Sequence, residues 1–294
     1  MRKLPSEKRA QILQLLCEGM SIRAIVRATG ASKNTITKLL VDTGKACMAY
    51  HDANVRNVEA KRVQVDEIWS FNYAKQKNVE AAKAALMDAG DTWTWMALDA
   101  DSKLIVSYFV SGRDSECAMW FIDDLRTRLA SRVQLTSDGH RAYLEAVEGA
   151  FGSDVDYAQL VKLYGTAPES AKGRYSPAEC IGARKTRIEG DSDPKHVSTS
   201  YVERNNLTMR MHMRRFTRLT NAFSKKVENH AYAVALHVMY YNLVRMHSTL
   251  RMTPAMVAGV TDCLWEISDI VALVEAAEAE KPRKRGPYKQ RQTG

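Results

Sequence analysis

The stretch Arg62-Val63-Gln64-Val65-Asp66-Glu67-Ile68-Trp69-Ser70-Phe71 decides how the chain is read. It is rich in β-branched and aromatic residues and predicts a strand. It also holds a carboxylate, Asp66, among apolar neighbours. Such a carboxylate is costly unless a cation or a hydrogen-bond donor neutralises it. Asp66 is therefore either a metal ligand or a strand-end residue paired with an arginine. Side chains alternate along a strand, so Glu67 is expected on the opposite face and is less favoured than Asp66 as a ligand.

Downstream, residues 93–100 and 104–110 read as two more strands, joined by the polar turn at 99–103. Helical spacing follows over 114–130, carried by Phe121, Ile122, Leu125 and Leu129. Residues 133–137 predict a fourth strand, ended by Asp138-Gly139. A helix over 140–151 and a fifth strand over 155–163 come next. This order of elements is that of an α/β, ribonuclease-H-like core, a mixed five-stranded sheet with flanking helices. Residues 165–199 contain Pro168, Pro177 and Pro194 and predict a long irregular loop. Two helices are expected over about 200–219 and 224–247.

Upstream, Ile12, Leu13, Leu15 and Leu16 repeat at helical spacing, and Gly19 stops that helix. Ser21 is a good N-cap for a second helix. Thr29-Gly30-Ala31-Ser32 makes a turn and a new cap before a third. Ile36, Leu39 and Leu40 point that third helix inward. Lys33, Asn34, Thr35 and Lys38 are left for DNA or for water. Two readings remain, an all-α helix-turn-helix and a plain three-helix bundle with solvated lysines. The expected organisation is a helix-turn-helix domain over 1–45, a linker over 46–62 and a catalytic domain over 63–250. A helical extension over 251–280 and a basic disordered tail over 281–294 complete it.

Composition narrows the classes. With 294 residues, 45% hydrophobic and 26% charged, the chain can bury a core and is not disordered throughout. No apolar run is long enough to span a bilayer, and the N-terminus lacks the pattern of a signal peptide. Five scattered cysteines form no framework, so a cytoplasmic setting is expected. The net charge of +9 is unevenly spread. Residues 1–45 carry nine Lys/Arg against three acids, 204–226 seven against none, and 281–294 six against none. Separated basic blocks around a neutral or acidic body suggest a polyanion held at several points.

Two further acids join Asp66 as candidates. Asp138 ends the fourth strand, where α/β sheets bind ligands, although Asp-Gly is also an ordinary turn. Glu203 opens a helix, and at 3.6 residues per turn it shares a face with Leu207, Arg210 and Arg214. A solvated surface helix is the alternative, weakened by the absence of acids over 204–226. Phosphodiester chemistry on divalent metals needs few carboxylates, provided they converge from separate elements.

At this point the chain resembles the insertion-sequence-one family of transposases. Val65-Asp66-Glu67-Ile68-Trp69 is similar to that family's first catalytic motif, and Thr136-Ser137-Asp138-Gly139 with Tyr143 to its second. Tyr201-Val202-Glu203-Arg204-Asn205-Asn206-Leu207, Arg210 and the segment from Phe223 to His230 resemble the third. The resemblance implies a bacterial DDE-type transposase using magnesium, with manganese as substitute, and a triad of Asp66, Asp138 and Glu203. It implies double-stranded DNA as partner, both element ends and target, and a homodimer or higher oligomer. Arg204, Asn206, Arg210, Arg214 and Lys225 are then expected to hold DNA. The chain departs from the family in having no cysteine zinc ribbon and in reading Asn205 where the family has histidine. A catalytically inactive DNA-binding regulator and a ribonuclease-H-like nuclease or resolvase stand as alternatives.

Overall fold

The computed structural model describes residues 4–83, 85–165, 180–217 and 222–280. Three helices come first: α1 (Ser6–Cys17), α2 (Ile22–Thr29) and α3 (Lys33–Asn54). The turn between α2 and α3 depends on Gly30, which takes φ 70° as the left-handed exit of α2. Ser32 then caps α3 by accepting the Thr35 amide at 3.2 Å.

Six strands form one sheet: β1 (Arg62–Asn72), β2 (Gly90–Asp99), β3 (Ile105–Ser111), β4 (Gln134–Ser137), β5 (Asp156–Tyr164) and β6 (Cys180–Glu189). Their spatial order is β3-β2-β1-β4-β5-β6. β2 runs antiparallel to both β1 and β3, whereas β1, β4 and β5 are mutually parallel. Helices α4 (Ser115–Arg128) and α5 (Ala142–Phe151) make the crossovers. β1 lies inside the sheet, and Asp66, just past its last pair with β4, is held in the ladder by β2.

The two faces of the sheet are covered by different helices. Val63, Val65 and Trp95 belong to a core shared with α4, α5 and the N-terminal helices. Ile68, Met96 and Ile105 pack instead with Val202, Met209, Val234 and Val238 of α6 (Ser200–His212) and α7 (Val227–Met239). Gln64 joins β1 to α6. Its Oε1 accepts the Tyr201 and Val202 amides at 2.8 and 3.1 Å, filling the place of an N-cap side chain.

α7 continues into a π-helical stretch, Tyr240–Val244, which brings the buried Asn242 onto β3. The Ile105 amide donates to Asn242 Oδ1 at 3.0 Å, and Asn242 Nδ2 donates to the Ile105 carbonyl at 2.9 Å. Replacing Asn242 by Ala leaves the buried Ile105 amide without its partner, while the carbonyl keeps His51 Nε2 at 3.3 Å. Unfolding in urea is expected to show a loss of about 1–3 kcal/mol; a loss within error would mean that the amide finds another partner.

Four sequence expectations need correction. First, the sheet has six strands, because residues 180–189 form β6 where an irregular loop was expected. Nearly every residue of β6 is exposed, so it lacks the alternating apolar signal of a half-buried strand. Second, of the helical or irregular linker expected from 46, the first part is helix continuous with the domain before it: α3 runs unbroken to Asn54, burying Cys47 and His51. Third, the helix expected to 219 stops at His212, followed by a 3₁₀ turn at Arg214–Phe216. Fourth, the C-terminal extension, expected as a segment of its own over 251–280, packs back on the N-terminal helices. Its helix α9 (Ile267–Ala279) packs on α1 and α3, with Arg9 bonded to Glu278 at 3.2 Å and Ser6 to Glu275 at 2.7 Å. The short α8 (Pro254–Val257) precedes it. Part of the expected loop (166–179) and the basic tail (281–294) lie outside the described residues. No described helix is long and apolar enough to cross a membrane.

Candidate functional site

Asp66 sits on the α6/α7 face of β1, in register with Met96 of β2. On the other edge, β1 and β4 pair with Gln64 opposite Thr136. Two residues further along parallel strands, Asp66 and Asp138 therefore emerge side by side. β4 ends at Ser137, so Asp138 is free of the ladder. Its Oδ1 accepts the His140 amide at 2.9 Å as the chain turns towards α5. Gly139 follows because β5 crosses close by: a Cβ there would lie 2.8 Å from Val161 Cγ2.

A third acid joins them, and it is not the expected one. One oxygen each from Asp66, Glu67 and Asp138 lie within 4.8 Å of one another. Glu67 belongs to the α4/α5 side of the sheet, as alternation requires. Its side chain is buried, and Arg113 donates to its Oε2 at 3.2 Å. Asp138, beyond the end of β4, is reached from both faces, so Glu67 enters the cluster although Asp66 was favoured over it as a ligand.

Crowding of acids is visible in their proton affinities. Burial, then Glu67, Asp138 and Glu203, push the Asp66 pKa up to about 7. Burial and Asp138 raise that of Glu67 as well. Burial, followed by the neighbouring Glu67, lifts the Tyr143 hydroxyl well above its usual range.

Glu203 lies in the first turn of α6, close enough to raise the Asp66 pKa, but it is turned aside. Its Oε1 accepts from Thr199 Oγ1 at 2.6 Å, and its other oxygen pairs with Lys162 of β5. Asp66 and Asp138 thus meet, and Glu203 stands beside them with its carboxylate committed elsewhere.

The expected DNA contacts divide in the same way. Lys33, Asn34 and Lys38 are exposed at the start of α3, with Lys38 paired to Asp42. Thr35 is half-buried, 2.9 Å from Ser32 Oγ. Arg204 is exposed and Arg210 half-buried. Asn206 is corrected: it is buried, and its amide donates to Asp66 Oδ2 at 2.9 Å, so it orients the acid instead of facing DNA. Arg214 lies beyond the end of α6 and off the Glu203 face; with Lys225 and Lys33 it lines a groove of about 490 Å³. The sequence offered no signal that these two basic blocks converge. His230 is a packing residue: 3.3 Å from Ser70 Oγ, against Phe216, and held neutral by burial with a pKa of about 3. Trp69, also near in sequence, stacks with Phe71 and sits under Lys75.

Residues 4–40 match the helix-turn-helix family model described as a homeodomain-like domain. The match ends with Leu40, so it takes in only the first eight of the 22 residues of α3. No curated protein matches the chain. Among solved structures, a cryo-EM structure of a piggyBac transposase synaptic complex with hairpin DNA is similar at 9% identity and a TM-score of 0.37. That alignment covers 97% of this chain and 75% of the other, and the superposition is too loose to bear on the fold.

Proposed function

We propose that the chain is a DNA transposase of the DDE type. In this reading the homeodomain-like domain holds the ends of a mobile element, and a ribonuclease-H-like core cuts and rejoins the strands. One observation carries it: parallel neighbours β1 and β4 set Asp66 and Asp138 side by side at the centre of the sheet. The order β3-β2-β1-β4-β5, with β2 as the antiparallel member, supports the ribonuclease-H-like assignment.

Magnesium fits this donor set. Carboxylate oxygens are the hard ligands it prefers, and the Asp66 pKa, raised first by burial and then by its acidic neighbours, marks a buried charge that a divalent cation relieves. When bound, a pair of such ions would sharpen the attacking hydroxyl and stabilise the leaving oxygen of an in-line displacement. The protein's own part is positional. Asp66 and Asp138 present oxygens from rigid strand ends, and Asn206 fixes the Asp66 rotamer. Gln64 locks the start of α6, which carries Glu203. For Glu203 to complete the triad it must leave Lys162, which frees that ammonium for a DNA phosphate. Joining two ends also needs at least two copies of the chain on DNA.

Magnesium-dependent nicking of labelled DNA tests the proposal. Asp138→Asn is expected to lower cleavage by roughly 10³-fold or more while DNA binding persists. Cleavage that survives the change overturns the assignment. Glu203→Gln should match Asp138→Asn, with Glu67→Gln much milder; the reverse order would make Glu67 the third acid. The Glu203–Lys162 pair also favours a second reading, a DNA-binding regulator with an idle core. That reading requires no metal-dependent cleavage from the unaltered protein.

A further inference from the structure

The groove between the homeodomain-like domain and the segment after α6 is not used by the chemistry above. Its apolar walls are Leu16, Met20 and Leu40 on one side and Phe223, Ala233 and Leu236 on the other. Arg23 and Lys33 reach its rim from α2 and α3, Arg214 and Lys225 from the opposite bank. Arg215 lies deeper, where burial draws its pKa down to about 10; its described partner is Ser224, a neutral hydroxyl. No acid is among the described residues lining the groove. Cations gathered without a counter-charge favour an anionic guest.

Two observations ask for more than a bare anion. The volume of about 490 Å³ lies in the range of small-molecule sites and exceeds the needs of one phosphate. On the inner wall, His237 is 3% exposed, and neither ring nitrogen has a hydrogen-bond partner. Burial, with His212 and Arg245 adding to it, keeps that ring neutral, so it offers one donor and one acceptor. Buried polar atoms are rarely left unpaired in native structures. A flat heterocycle bearing a phosphate satisfies the apolar walls, the imidazole and the cationic rim together.

We propose that this groove receives one nucleotide of a DNA strand, with its phosphate among the rim cations and its base turned in against Phe223 and Leu236. The inference rests on the reading of the chain as a DNA-processing enzyme, and it adds a second seat for the strand, away from the acidic cluster. Taking a base out of the stack costs least in single-stranded DNA, so single strands are the natural probe.

The test uses the full chain in EDTA, so that cleavage plays no part, and compares a thymidine decamer with an abasic deoxyribose-phosphate decamer of equal charge. The thymidine decamer is expected to bind about 10-fold more tightly or better, the worth of a base stacked on a side chain. Ala233→Leu, which fills the groove from α7, should erase that preference. Arg23→Gln combined with Lys225→Gln, both at exposed positions, should weaken both decamers, whereas Arg126→Gln on the far side should not. Equal affinity for the two decamers, a preference that survives Ala233→Leu, or indifference to the rim double change each overturns the proposal. Free thymidine monophosphate that competes as well as the decamer would make the guest a free nucleotide and overturn the strand assignment. Asp66→Asn should leave every one of these affinities unchanged, so loss of the catalytic reading and loss of this one are separate results.

Discussion

Asp66→Asn is expected to make the metal-free protein more stable at pH 8 while removing strand cleavage. In the folded chain Asp66 holds its proton up to about 7, against an ordinary value of 3.8. Above pH 7 the folded state carries a buried, crowded charge that the unfolded state carries at no penalty. That difference lowers stability by roughly 3–4 kcal/mol at pH 8. Asn keeps the shape and can still accept from Asn206, so most of the burden is lifted. The melting temperature should rise by about 5–10 °C at this chain length. As pH falls from 7 towards 4, only the folded form of the unaltered protein gains the proton. The advantage of the variant should therefore shrink and vanish near pH 4. Magnesium should raise the melting temperature of the unaltered protein at pH 8 and leave the variant nearly unmoved. A variant less stable than its parent at pH 8 would show that Asp66 is satisfied by structural partners and is no ligand. Thermal scans across pH, with and without magnesium, decide this without any measure of activity.

The same site shows what can be read from residues alone. Asp66 was legible because it breaks a local rule, as a carboxylate in an apolar strand; Asp138, in an ordinary Asp-Gly turn, was marked only by its place at a strand's carboxyl end. Glu67 was misjudged because alternation fixes the face from which a side chain leaves, not where its end arrives beyond the tip of a short neighbouring strand. Asn206 was given to DNA because an amide on a basic helix carries no mark of burial; only the packing of α6 on β1 turns it to Asp66. Strands β1 to β5 were clear from their β-branched, alternating pattern. β6 was not, since an edge strand exposed on both faces has no reason to alternate. The groove lay beyond sequence reasoning altogether: Lys33 and Lys225 are almost two hundred residues apart, and only the tertiary fold makes them neighbours.

Gly44→Ala is expected to weaken the crossing that joins the N-terminal helices to the rest of the molecule. Gly44 lies beside the domain boundary expected at 45. It falls instead in the middle of α3, where α3 crosses α7. A Cβ at this position would stand 2.3 Å from Tyr232 Cβ and 2.6 Å from its Cα, so backbone has to move. Alanine contributes about 1 kcal/mol of helix propensity over glycine. Forcing two packed helices apart costs more, about 1–3 kcal/mol for a modest shift. A cost at the upper end of that range, and so a net loss of about 2 kcal/mol, is expected, because the obstacle includes main chain that cannot rotate away. The displacement also spreads. α7 brings Val234 and Val238 to the sheet beside Asp66, and α3 presents Lys33 at its other end. Beyond Gly44, Arg128 of α4 holds the end of α3 through Asp52 Oδ1 at 3.0 Å and the Val55 carbonyl at 3.2 Å. The helix is thus clamped on both sides of the crossing. Removal of residues 1–45 would cut α3 at this point and strip Ile12, Leu13, Ile36 and Leu40 from a core continuous with the sheet. That truncation is expected to be unfolded, not a catalytic domain lacking its DNA reader. Urea midpoints for Gly44→Ala, and circular dichroism with a melting scan for the truncation, test the point. A soluble, cooperatively melting 46–294 fragment would show the two parts to be independent, and a Gly44→Ala protein of unchanged midpoint would show the crossing to be looser than its geometry.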